Sequence, residues 1–379
     1  MKSIQYAFQS KDEILTFLKS FKGSDHQLNF IFSDLIYLED TEVTSSIKQA
    51  FDGSLLMACS TAGEISNERM SERTLVLSCV DFESVKLKKC TYKLNNIEDS
   101  RTAGEWIGKE LLTDELKHVF ILSNGISVNG TRFIQGINSI LGGSVNVSGG
   151  LAGDNGNFSK TYVADDENNF SSNCITAVGF YGENLVTSSG SYGGWDSFGI
   201  DRVVTKSKEN IVYEIDGEPA LQLYKSYLGE KAAELPSSGL FFPLEMRESE
   251  DSELLVRTIL GVNEAENSLT FAGNIPEGSF VRLMKTNVNR VIDGAERAAD
   301  IIKESMKEAP NLVLMVSCVG RKLVLKQLTQ DEIEAVTQSF PEGTTFTGFY
   351  SNGELSKLKG QMGCNLHNQT MTLTAIAEL

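Results

Sequence analysis

An apolar strand ending in serine, a helical pattern, and a second strand closing on glycine and a carboxylate recur three times in this chain. The first copy runs from Phe30-Ile31-Phe32-Ser33 to Cys59-Ser60-Thr61-Ala62-Gly63-Glu64. The second runs from Val119-Phe120-Ile121-Leu122-Ser123 to Gly149-Gly150-Leu151-Ala152-Gly153-Asp154, and the third from Leu314-Met315-Val316-Ser317 to Gly348-Phe349-Tyr350-Ser351-Asn352-Gly353-Glu354. From serine to the final glycine the separation is 30 residues twice and 36 once. A β-α-β unit recurs in this way when a fold reuses one architecture. Small residues at strand ends leave backbone amides open to a ligand, and strand ends are where α/β proteins place their sites.

At 379 residues the chain exceeds one ordinary core, and the pattern predicts two domains, 1–212 and 213–379. A net charge of −17 argues against nucleic acid, whose phosphates need lysine and arginine, and disfavours anionic membrane surfaces. The N-terminus lacks the apolar core of a signal peptide and no apolar run approaches a membrane span, so a cytoplasmic location is expected. The six cysteines are scattered without a C-x-x-C pair, which excludes the usual structural zinc spacing. Cys59, Cys79, Cys90 and Cys174 read as small core residues, while Cys318 and Cys364 adjoin the motif-rich segments.

Ser10-Lys11-Asp12-Glu13 reads as a capping box ahead of an amphipathic helix, and Thr329-Gln330-Asp331-Glu332 as a second. Phe133, Ile134, Ile137 and Leu141 mark the crossover helix of the second copy. A turn-rich tract ends at Gly193-Gly194-Trp195, and a hinge is expected just beyond it. Pro219 fits the first turn of a helix carrying Leu223, Tyr224, Tyr227 and Leu228 and ending at Gly229. Helices alternate with strands but consecutive strands interrupt them. The predicted class is therefore α/β, with mixed β-sheets flanked by helices and repeated β-α-β units.

No G-x-S-x-G elbow and no phosphate-binding loop is present, and only His26, His118 and His367 could serve a triad. His118, beside Lys117, reads as a surface residue. The glycine-carboxylate loops read as a ligand-binding rim: Ser60, Thr61, Gly63 and Glu64; Gly150, Gly153 and Asp154; Tyr350, Ser351, Gly353 and Glu354. Hydroxyls and amides would take the carboxylate of a small zwitterion and Glu64 its ammonium. Ser317, Cys318 and Arg321 add a guanidinium able to grip a carboxylate. Equally, the glycines could permit turns and the carboxylates cap helices. Asn365-Leu366-His367-Asn368-Gln369 is a further dense polar cluster, with Asn368 a candidate contact.

Cys59-Ser60-Thr61-Ala62-Gly63-Glu64, Gly150-Leu151-Ala152-Gly153-Asp154, Gly193-Gly194-Trp195 and Asp216-Gly217-Glu218-Pro219-Ala220 resemble the paired N- and C-terminal FIST sensory domains. Gly348 to Glu354 and His367 to Met371 extend the resemblance to nearly the whole chain. The resemblance implies intracellular signal transduction by small-ligand sensing, amino acids being the proposed ligand class; a FIST-like unit with no nucleophile-base pair in its sequence is expected to have no catalytic turnover of its own. A free-standing FIST subset, similar in lacking a fused output domain, consists of haem-containing nitric-oxide sensors acting on partner histidine kinases. That likeness implies haem b, with His367 as axial ligand and Cys364 the runner-up, and a sensor histidine kinase as partner. An amino-acid sensor without haem is the alternative. A cysteine-dependent enzyme working through Cys318 or Cys59 is a second alternative, and the oligomeric state is open.

Overall fold

A computed structural model describes residues 1–24, 27–250, 252, 254–357 and 363–379; His26 lies outside the described residues. Each copy of the repeat builds its own mixed sheet. At the centre is the parallel pair: Gln27–Ser33 with Leu55–Ser60, Leu116–Ser123 with Asn146–Leu151, and Leu312–Cys318 with Thr345–Ser351. An antiparallel strand returns beside the first member of each pair, Leu75–Asp81, Cys174–Tyr181 and Met371–Glu378 respectively. Beyond it lies the strand that opens each copy: Lys2–Phe8, Lys86–Lys93 and Leu185–Tyr192.

The copies are locked by cyclic strand exchange. Glu64–Ser66, which follows the first pair, adds to the sheet of the third. Gly353–Ser356, which follows the third, adds to the sheet of the second. Val163–Ala164, which follows the second, closes the circle on the first. Backbone bonds at the strand ends repeat the cycle: Ala62 N–H donates to Tyr350 O at 2.8 Å, Gly153 N–H to Ser60 O at 2.9 Å, and Asn352 N–H to Leu151 O at 3.0 Å. A Cβ at Gly153 would stand 2.8 Å from Ala62 N, so only glycine lets the loops meet this closely.

Each sheet is covered on both faces, which is why its central strands are buried along nearly their whole length. Inner faces share one core, where Phe32 of the first copy stacks on Phe349 of the third at 4.8 Å and Phe30 meets Phe120 edge-on at 5.8 Å. Outer faces pack on helices capped as their sequences require. Asp40 accepts from the Glu42 and Val43 amides, Asn129 from Arg132 N, and Asn287 from Arg290 N. Ser10 caps its helix as expected, with Glu13 returning to Gln9 N. The second capping box does not form, because Glu332 turns inward to Ser317 and Arg321.

The chain leaves the third copy at Gly193-Gly194-Trp195 and re-enters it at the helix Val288–Ser305. Between them an eight-stranded antiparallel sheet, Asp196 to Lys285, packs on the helix Ala220–Leu228 around its own core. That helix begins just after Pro219 and stops at Gly229, φ 58°, a left-handed terminus that favours glycine. Residues 212 and 213 both lie within the strand Ile211–Ile215 of this insert. His118 is not at the surface. It is fully buried, its Nε2 lies 3.0 Å from Ser148 Oγ, and burial pushes its imidazole down to about 3.

Candidate ligand cleft

The insert faces the carboxyl ends of the parallel strands of the second and third copies, the position where open α/β sheets bind ligands. A cavity of about 230 Å³ separates them, walled on the core side by Cys318, Gly320, Leu323, Asn352 and Asn368. The insert side supplies Leu240, Thr258, Ile259, Leu260 and Ala272. A second cavity, of about 170 Å³, continues past Asn352 and Phe158 toward Gly125 and Asn274. Among the described residues no charged side chain lines the larger cavity, while Glu209 lines the second.

Its polar atoms are the unusual feature. Asn352 Nδ2 and Oδ1, Asn368 Oδ1 and Thr258 Oγ1 are all buried without a hydrogen-bond partner. Buried polar groups in folded proteins are nearly always satisfied, so four such atoms around one cavity mark a place that a ligand or ordered water completes. Asn368 is 1% exposed and its Nδ2 is already committed to His367 O at 2.9 Å, which leaves the oxygen to face the cavity. Asn352 occupies the position filled by Ala62 and Ala152 in the sister loops, so the third copy carries an amide where the others carry a methyl.

Two of the residues singled out from sequence line this cavity, Cys318 and Asn368. Desolvation pushes the Cys318 thiol strongly up, which leaves no thiolate at neutral pH. The remaining residues occupy the packed interior. Glu64 binds Thr61 and accepts from Thr74 N and Oγ1 at 3.2 and 2.6 Å. Glu354 repeats the arrangement with Ser351 Oγ at 2.7 Å and with Thr370 N and Oγ1 at 3.2 and 3.0 Å. Thr74 and Thr370 each stand immediately before a returning strand, so the two carboxyls pin equivalent corners. Burial raises Glu64 to about 7 and Glu354 to about 8. In the second copy Asp154 instead accepts from Phe158, Ser159 and Lys160 amides.

Arg321 is fully buried against Glu332 at 3.3 Å and donates to the carbonyls of Gly193, Val291 and Gln369, so its fork is occupied. Glu332 also takes Ser317 Oγ at 2.7 Å and Tyr350 Oη at 3.4 Å. Ser60 Oγ donates to Gly153 O at 2.8 Å. Cβ atoms at Gly63, Gly150 and Gly353 would meet Tyr350, Val316 and Leu366, so these glycines serve close packing. Cys364 is buried in the outer core of the second copy, its thiol 3.7 Å from Asn365 O. His367 is 2% exposed, pairs across the ladder with Glu354, and holds Ser356 O at 3.0 Å through Nε2. Burial pushes its imidazole down to about 4, and it lines neither cavity of the cleft. With that nitrogen engaged and the ring inside the fold, these residues do not fit a haem.

Sequence reasoning missed Asn352 as a contact, although it stood inside a quoted motif. Its departure from the alanine of the sister loops was the available signal. Thr258 gave none, since it lies in the insert and its role depends on how that sheet docks.

The FIST N domain model matches residues 27–218 and the FIST C domain model residues 220–357. The chain belongs to the FIST family and carries its N and C domains in tandem. It is 25% identical over 346 residues to the uncharacterized protein MJ1623 of Methanocaldococcus jannaschii, covering 81% of this chain and 64% of that protein. The chain thus spans less than two thirds of that relative's length. A crystal structure of cyanuric acid hydrolase from A. caulinodans aligns over 99% of this chain and 98% of its own at 7% identity and a TM-score of 0.39. A likeness that loose says nothing about chemistry here. Among the described residues no helix is long and apolar enough to cross a membrane, and none form a group of three or more metal-ligating side chains.

Proposed function

We propose that this protein senses a small molecule in the cleft between the three-copy core and the eight-stranded insert. The observation carrying this reading is the set of four unpartnered polar atoms on Asn352, Asn368 and Thr258 around one cavity. Direct polar ties across the boundary include Gln369 Nε2 to Leu240 O at 3.3 Å, Arg257 Nη1 to Leu366 O at 3.1 Å, and Asn129 Nδ2 to Asn274 Oδ1 at 3.1 Å. A ligand touching both walls adds contacts that exist only in one relative placement of insert and core, and so shifts their equilibrium. Output through a partner protein, a sensor histidine kinase by the family resemblance, belongs to the same proposal. Haem and nitric oxide do not, because His367 is engaged with Ser356 O away from the cleft. Catalytic turnover is left out of the proposal: burial pushes the Cys318 thiol up, and among the described residues no charged side chain lines the larger cavity.

The test is a thermal-shift screen of small metabolites against the wild type and Asn352→Leu. A ligand at a hundred times its Kd stabilises by about 2.7 kcal/mol, a shift of a few degrees. Hits that stabilise the wild type but not the variant support the cleft. Hits that act equally on both, or no saturable hit, overturn it.

A further inference from the structure

The chemistry of the cleft walls narrows the ligand further, on the reading that the cleft is the sensory site. We propose that it recognises an uncharged molecule bearing an amide, such as a lactam, carboxamide or urea. Asn352 presents an unpaired acceptor and an unpaired donor on one planar group. That is the complement of a ligand N–H beside a C=O, so two hydrogen bonds form side by side. Asn368 Oδ1 accepts a further N–H, and Thr258 Oγ1 on the opposite wall can donate or accept. Apart from Ser237 and the Cys318 thiol, the rest of the lining, with Phe158, Leu240, Ile259 and Leu323, is apolar and suits the faces of a small ring.

By the same inventory the larger cavity offers no partner for a charge. An ammonium or carboxylate taken out of water needs an opposite charge or several committed hydrogen bonds. The charges nearest the lining are already engaged: Arg257 with the carbonyls of Val256, Asn274 and Leu366, Arg321 with Glu332, Lys322 with Glu72 and Ala62 O, Glu354 with Ser351 and Thr370, and Glu209, at the second cavity, with Arg132. An amino acid would therefore lose its hydration in the cleft without compensation. A neutral amide would instead satisfy the four orphaned atoms, and a site built to hydrogen-bond its ligand rejects analogues that leave those groups unpaired.

The experiment follows the side-chain amide resonances of Asn352 and Asn368 in the full-length protein. They are assigned by their disappearance in Asn352→Leu and Asn368→Leu. The probes are 2-pyrrolidone, a neutral lactam, and 4-aminobutanoate, its ring-opened zwitterion. The lactam should shift both amides saturably, with a Kd of millimolar order for so small a probe. Asn352→Ala should weaken it about tenfold or more while leaving the backbone spectrum folded, alanine being the residue of the sister loops. The zwitterion should move neither amide. If 4-aminobutanoate shifts them and 2-pyrrolidone does not, the cleft stands and the ligand class falls. If neither probe moves them, the neutral-amide proposal falls, and the thermal-shift screen against Asn352→Leu decides the cleft reading by itself.

Discussion

Raising the pH from 5 to 9 should destabilise this protein through Glu354, and Glu354→Gln should remove that part of the pH dependence. The carboxyl is fully buried and burial lifts it from 4.5 to about 8. A group held above its unfolded value binds its proton more tightly in the native state. Its contribution is thus complete below 4.5 and is lost as pH rises through 8. Each pH unit in that window costs about 1.4 kcal/mol, so the full passage costs about 5 kcal/mol, a large share of a typical folding free energy. Glutamine keeps the geometry. Its oxygen can accept from Thr370 N and Oγ1, while its amide donates to Ser351 Oγ, which itself donates to Ser317 O at 3.3 Å. Denaturation midpoints and slopes measured at one-unit pH steps for both proteins isolate this group, because the other titrating groups cancel in the difference. A wild-type curve that falls more steeply than the variant's between about pH 5 and 8 is expected. Parallel curves would refute the assignment of Glu354 as a buried, protonated corner pin.

Glu64, raised to about 7, should show the same sign over a shorter window, so Glu64→Gln flattens stability between about pH 5 and 7 in the same assay. Arg321→Met strands Glu332 in the interior and should cost about 3–5 kcal/mol, largely recovered in Arg321→Met/Glu332→Leu; a double variant as unstable as the single would contradict the pair. Gly136→Ala would put a Cβ 2.1 Å from Arg101 O where two helices of the second copy cross, and a loss of at least about 2 kcal/mol by chemical denaturation is expected. Cys318 should resist alkylation at pH 7 in the native state and react only on unfolding; labelling of the native thiol at a free-cysteine rate would revive the enzyme reading.

The repeat was legible because three parallel pairs buried on both faces must read as apolar runs, and because the strand-ending serines and loop glycines recur at fixed spacing. The cyclic exchange was not, since Glu64–Ser66 and Val163–Ala164 are too short to carry a pattern and their partners lie in other copies. The insert escaped notice as an insert because a strand of the third copy precedes it and the matching helix follows it, so sequence order hides the interruption. The site was half legible. Polar residues beside glycines mark loops where chains approach closely, and here most of that polarity holds the loops together, as Glu64, Glu354 and Arg321 show. Only a group left over after every internal bond is made can receive a ligand. Asn352 and Asn368 became distinguishable from their neighbours once those bonds could be counted.

A high-resolution crystal structure of the protein as purified from its native host tests the central claim most directly. The account predicts a small, ordered molecule in the cleft, with polar atoms within about 2.7–3.2 Å of Asn352 and Asn368. Asn352 and Asn368 turned to bond each other or the backbone, around a cleft holding only mobile solvent, would contradict it.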